Sequence, residues 1–139
     1  MSTLEKAIIV AARAHSGQTD KAGQPYILHP LRVMQSVSTT DARIVAVLHD
    51  VLEDSEISAE DLRREGFSPD IIEAVTALSR EPGEDYLDFV RRAKKNPLAR
   101  EVKLADVHDN MDMTRIKEPT SKDRERMRKY EAALHELNR

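Results

Sequence analysis

The sequence predicts an all-α protein, a compact orthogonal bundle of short helices. Three observations carry that reading. Apolar residues recur at helical spacing through most of the chain, no run alternates apolar and polar residues in the manner of a half-buried strand, and helix-start signals recur along it. Hydrophobic residues make up 40% of the chain but aromatics only 4%, so aliphatic residues and alanine must fill the interior. Such a core suits packed helices better than a sheet sandwich.

The elements follow in order. Leu4, Ala7, Ile8, Ala11 and Ala12 lie on one face, which predicts a helix over 3–15. The polar stretch from Ser16 to Pro25 holds two glycines and a proline, can bury no face and reads as a loop. A helix resumes over 30–37 with Leu31, Met34 and Val37 on one side. Asp41 is placed to cap the next, which carries Ile44, Val45, Val47 and Leu48 unbroken into an acidic cluster. Ser58 and Asp61 have capping-box spacing for a short helix that Gly66 ends. Ser68-Pro69 and Asn96-Pro97 each put proline at the first helical position, opening helices over 70–79 and 98–112. Residues 81–84 form a turn, 86–95 another helix, and a highly charged helix over 121–137 closes the chain. Its expected buried stripe is Met127, Tyr130, Leu134 and Leu137.

The totals narrow the function. At 139 residues a single domain spanning 1–139 is expected. The net charge of -3 gives no basic field for duplex nucleic acid. With no cysteine there is no disulfide, thiolate ligand or thiol nucleophile. No long apolar run marks a signal peptide or membrane span, so the expectation is a soluble, cytoplasmic protein.

Chemistry concentrates where helical patterning meets polarity. His49, Asp50, Glu53 and Asp54 end an otherwise apolar helix, and ionised groups taken out of water need partners. His29 stands before Pro30 at a loop-to-helix junction. Asp106 falls inside the apolar segment 102–107, a poor place for a helix-interior aspartate without a strong reason. Lys103 and Asn110 share its face. His29, His49, Asp50 and Asp106 together would give two imidazoles and two carboxylates, a set suited to manganese, iron, zinc, nickel or magnesium. A metal so held lowers the pKa of bound water. Glu53 and Asp54, four residues after His49 and Asp50, would share their helix faces and stay available for proton transfer. By contrast, lone histidines such as His15 and His135 read as surface or capping residues, and the charged run 122–129 as a solvated face. Separate buried polar residues need not meet in space, so spacing alone leaves the metal quartet open.

The segments His15 to Val33, Leu48 to Asp54, and Val102 to Asp106 with Asn110 resemble, in order and spacing, the motifs of the hydrolase domain of Rel/SpoT proteins and small alarmone hydrolases. The chain is thereby identified as an HD-domain-like phosphohydrolase over roughly 11–116. The resemblance implies hydrolysis of (p)ppGpp to GDP or GTP with release of pyrophosphate from the ribose 3′ position, using manganese or another divalent metal. It assigns His29, His49, Asp50 and Asp106 as metal ligands and Glu53 and Asp54 as catalytic acids. Lys21 is assigned to the loop meeting the nucleotide, Asn110 to the pocket around ribose and phosphates, and Tyr26 to packing behind the site.

Two departures bear on substrate choice. Asp20-Lys21 stands where the family carries Arg-Lys, and Val107-His-Asp-Asn110 where it carries Arg-Leu-His-Asn. An arginine fork cannot be replaced by lysine. Lys103, Arg115 and Lys117 are candidates to supply phosphate charge instead. The alternatives are a phosphohydrolase of another 2′- or 3′-phosphorylated nucleotide such as NADPH, or a nucleotide-sensing module without turnover. No synthetase or regulatory region is present, so a stand-alone hydrolase is expected, and the first and last helices are candidates for a homo-oligomer surface.

Overall fold

The computed structural model describes residues 3–139, with the Arg115 side chain outside the described set. Among the described residues the regular structure is helical: α1 (Leu4–Ala14), α2 (Leu28–Gln35), α3 (Thr40–Leu48), α4 (Val51–Asp54), α5 (Ala59–Arg64), α6 (Pro69–Ala77), α7 (Tyr86–Lys94), α8 (Pro97–Asn110), a 3-10 turn at Met113–Arg115, and α9 (Ser121–Leu137). Thr19 and Pro25 form an isolated β-bridge that closes the loop between α1 and α2.

Helix α3 is the centre of the fold. Its residues Ala42 and Ile44 to Leu48 are all buried, the state of a helix that is apolar all round. It packs against α1, α2, α6 and α8. A second, smaller cluster joins α7, α8 and α9 through Val90, Val107, Ala133 and Leu137. Truncating a fully buried residue such as Leu48 to alanine should cost about 2–5 kcal/mol.

Local chemistry sets the helix ends. Ser58 and Asp61 form the expected reciprocal capping box, and Thr120 with Asp123 forms a second at the start of α9. Gly66 adopts a φ of 92°, the left-handed conformation that stops α5. Ser68 and Asn96 cap α6 and α8 ahead of their prolines. Thr39, not Asp41, caps α3, since its hydroxyl accepts from the Ala42 N–H; Asp41 sits in the first turn. In α9, Leu137 is buried and the other three residues of the expected stripe are half-buried, while Ala133 and Glu136 are buried beside them.

The helix expected to run unbroken through His49 and Asp50 is broken there. The Ala46 carbonyl, which a continuous helix would offer to the Asp50 N–H, accepts instead from the His49 main chain at 3.3 Å and from His49 Nδ1 at 2.6 Å. The two residues therefore occupy a turn between α3 and α4. Only Asp50 and Asp54 keep the helical relation, through a 3.0 Å bond from the Asp54 N–H to the Asp50 carbonyl.

Candidate functional site

The break at residues 49–50 turns two side chains away from the α3 packing and toward α2 and α8. Ligand atoms of His29, His49 and Asp50 lie within 4.8 Å of one another. Asp106 joins them from α8: its Oδ1 is 2.9 Å from His29 Nε2 and 3.3 Å from His49 Nε2. The four residues expected to share a metal site are thus assembled from α2, the 49–50 turn and α8.

Burial makes their charges interdependent. Burial alone would raise the Asp50 pKa, but the His49 charge beside it outweighs that and brings it to about 2. Asp106 is likewise held well below the usual carboxylate range, its burial overridden by the Lys103 and His49 charges. Burial opposes charging His49, yet Asp50 and Asp106 hold its pKa well above the ordinary value. For His29, burial is overridden by hydrogen bonds to Asp106 and Asp109, and its pKa is raised.

The donor set fits a divalent cation. His49 commits Nδ1 to the Ala46 carbonyl, while its buried Nε2 has no partner in hydrogen-bond alignment despite lying 3.1 Å from Asp50 Oδ2. A buried ring nitrogen of this kind calls for a partner other than the surrounding protein groups. Two imidazoles and two carboxylates match imidazole- and oxygen-loving metals.

Around this cluster stand residues whose roles sequence patterning did not resolve. Tyr26, expected as packing, donates its hydroxyl to Asp50 Oδ2 at 2.5 Å. Lys103, a candidate phosphate contact, is buried and donates to Asp106 Oδ2 at 2.9 Å, with its ammonium 4.8 Å from the centre of the Phe89 ring. Asn110 donates to Asp106 Oδ1 at 3.1 Å. Asp109 accepts from His29 Nδ1 at 2.6 Å and from the Arg32 guanidinium. Arg32 follows His29, and Asp109 follows Asp106, by three residues on their helices, a spacing that puts each pair on one face but does not show that the two faces meet. His15, read as a surface or capping residue, does follow the end of α1 but is buried, its ring 5.0 Å from that of Tyr26. His135 is exposed as expected.

Two neighbouring hollows lie at the cluster. The inner one, about 150 Å³, is lined by the four candidate ligands together with Glu53, Arg80, Lys129 and Tyr130. The outer one, about 350 Å³, shares Tyr26, His29, Asn110 and Tyr130 with it and extends to Lys21, Arg126 and Ile116. The outer volume alone lies in the range of small-molecule sites. Glu53 is on the inner wall, its Oε1 accepting from the Arg80 N–H at 2.7 Å. Asp54 is exposed and is not among the residues lining that hollow; desolvation and the Asp50 and Glu53 charges push its carboxyl up to about 6.

The two departures at positions 20 and 107 have structural explanations. Asp20 Oδ1 accepts from the Ala22 and Gln24 N–H groups at 2.9 and 3.0 Å and so organises the loop from which Lys21 projects beside the outer hollow. Val107 is fully buried in the α7–α9 cluster. An arginine missing from that position is therefore not missing from the cleft. Lys117 is exposed and lines neither hollow.

The HD domain profile matches residues 7–135. The chain belongs to the HD domain family. A Streptomyces coelicolor protein named GTP pyrophosphokinase is 34% identical over 149 residues, covering 96% of this chain and 18% of that protein. An Aquifex aeolicus guanosine-3′,5′-bis(diphosphate) 3′-pyrophosphohydrolase is 30% identical over 120 residues, covering 78% of this chain and 17% of that one. The chain thus spans less than a fifth of the length of these curated relatives. The solved structure of a metazoan ortholog of SpoT, described as hydrolysing ppGpp, matches with a TM-score of 0.76 at 25% identity, covering 99% of this chain and 84% of that one. The all-helical HD fold expected from the sequence is the fold observed. No helix among the described residues is long and apolar enough to cross a membrane.

Proposed function

We propose that this HD domain hydrolyses (p)ppGpp to GDP or GTP and pyrophosphate, with Mn2+ as the working metal. The observation that carries the proposal is the convergence of His29, His49, Asp50 and Asp106 at the inner end of a cleft large enough for a nucleotide. Similarity to proteins named for ppGpp hydrolysis supplies the substrate. The relative named as a pyrophosphokinase is matched over less than a fifth of its length, and the part matched here carries the His-Asp cluster.

The same four residues would hold the cation, which when bound supplies Lewis-acid polarisation of water and of phosphoryl oxygens. Tyr26 and Lys103 keep Asp50 and Asp106 aimed inward by their hydrogen bonds. Glu53, with Oε1 anchored on the Arg80 N–H, takes the proton of the attacking water at its other oxygen. Asp54, with its pKa pushed up to about 6, retains a proton more readily than an ordinary aspartate and, standing outside the inner hollow, reaches the leaving 3′ oxygen only through an intervening water. Arg80 and Lys129 on the inner wall offset phosphoryl charge. Lys21 and Asn110 contact the nucleotide in the outer hollow.

The test is a nucleotide panel on Mn2+-loaded protein with metal content measured on the same sample. The panel holds ppGpp, pppGpp, NADPH and a 3′-monophosphorylated nucleotide, with pyrophosphate and orthophosphate read separately. Pyrophosphate from ppGpp is the expected result. Orthophosphate from NADPH alone would move the assignment to a 2′-phosphohydrolase, and tight ppGpp binding without product would make the domain a sensor.

A further inference from the structure

The two candidate imidazole ligands are oriented by different devices. His49 donates Nδ1 to a main-chain carbonyl of its own helix, Ala46. His29 donates Nδ1 to a carboxylate on another helix, Asp109, at 2.6 Å. That carboxylate is gripped in turn: Arg32 Nε lies 2.8 Å from Asp109 Oδ1 and Arg32 Nη2 lies 3.1 Å from Oδ2. His29 and Arg32 occupy successive turns of α2, and Asp106 and Asp109 successive turns of α8, so two pairs spaced by three residues meet face to face.

We infer that Asp109, braced by Arg32, is a positioning residue for the metal site. It fixes the His29 ring so that Nδ1 carries the proton and Nε2 faces Asp106, Asp50 and His49. The inference rests on His29 being a ligand, as proposed above. An imidazole whose remote N–H is held by a carboxylate is a more basic and better oriented ligand than one held by a neutral group, and losing such a partner typically weakens metal binding by about 10- to 100-fold. The bidentate arginine both fixes the carboxylate plane and balances its charge, which lets Asp109 sit half-buried as an anion. Position 109 is also one where this chain departs from the third motif it otherwise resembles, so the device is carried by this chain's own residues.

A plain structural role would make Asp109 a pin between α2 and α8. The two roles separate on metal affinity. The full chain, stripped with a chelator, is titrated with Mn2+ alone by calorimetry, and the metal-free Tm is measured in parallel. Asp109→Asn keeps an oxygen acceptor and the side-chain shape but removes the charge. The positioning role predicts Mn2+ binding weakened by about 10- to 100-fold, and Arg32→Gln a smaller loss in the same direction. Unchanged Mn2+ affinity with a lowered Tm overturns the inference and leaves a helix pin. Should Asp109→Asn fail to fold, Arg32→Gln decides alone: weakened binding supports the brace and unchanged binding overturns it. A wild-type chain that binds no Mn2+ at all overturns the metal reading itself, an outcome distinct from either variant result because no nucleotide enters the measurement.

Discussion

The inner and outer hollows are built on different principles. In the inner one, His29, His49, Asp50 and Asp106 come from three parts of the chain, and each charge faces an opposite one within 2.9–3.9 Å. Tyr26, Lys103, Asn110 and Asp109 restrain the same side chains from behind. The outer hollow is walled by the loop after α1, the segment after α8 and the half-buried face of α9, where Lys21 and the Arg126–Asp123 ion pair stand beside Met113, Ile116 and Met127. Lys21 there is partly desolvated and faces the Arg126 charge, both of which lower its pKa. A buried network fixes one geometry and tolerates little change, whereas a loop-and-surface wall can vary in what it accepts. Reaction type should therefore reside in the inner hollow and substrate choice in the outer.

That division predicts a gradient of effects. Asp50→Ala should be the most severe, because it removes a proposed ligand, strands the Tyr26 hydroxyl and takes from the buried imidazoles one of their counter-charges. Mn2+ content and turnover should both fall to background. Glu53→Gln should keep Mn2+ at wild-type stoichiometry while kcat drops by about 10²- to 10⁴-fold; normal turnover in that variant would remove Glu53 from proton transfer. Lys21→Ala should act on the outer hollow only, raising KM about tenfold, as expected for losing one charge-assisted contact, with kcat little changed. An equal fall in kcat would erase the proposed division between the two hollows.

The smallest effect concerns pH. In the metal-free protein His29 and His49 both have pKa values raised above the ordinary 6.5. Protons held more tightly in the folded than in the unfolded state stabilise the fold fully below that value, and the benefit is lost as pH rises through the folded pKa values. The Tm of chelated protein should therefore fall as pH is raised above 6.5, and Mn2+ should oppose the fall by taking the place of those protons. A Tm that stays flat over that range in the chelated protein would contradict the raised values.

What could be read from the sequence follows the same division. Helix boundaries were legible wherever a cap or a proline stood at the right offset, as at Ser58, Ser68 and Asn96. The bend at His49 was not, because it depends on a side chain taking its own helix's carbonyl, and periodicity carries no trace of that choice. The polar residues of the inner hollow stood out as anomalies in apolar segments. Their partners did not: Arg32 and Asp109 look like ordinary surface charges until α2 meets α8, and Tyr26 looks like filler until its hydroxyl meets Asp50. Spacing marks Lys103 as a candidate phosphate contact on the Asp106 face, but it gives a face and not whether that face is covered, and Lys103 is buried. Val107 marks the opposite case. A change that reads as a lost phosphate contact in the motif is, in three dimensions, an apolar residue in an apolar cluster.

If the inner cluster directs water onto the phosphorus attached to the ribose 3′ oxygen, the oxygen of that water leaves with the pyrophosphate. Single-turnover reaction of Mn2+-loaded protein with ppGpp in 18O-labelled water, followed by mass analysis of both products, reads this out. One 18O atom is expected in pyrophosphate and none in GDP. Label in GDP, or release of orthophosphate in place of pyrophosphate, would contradict it.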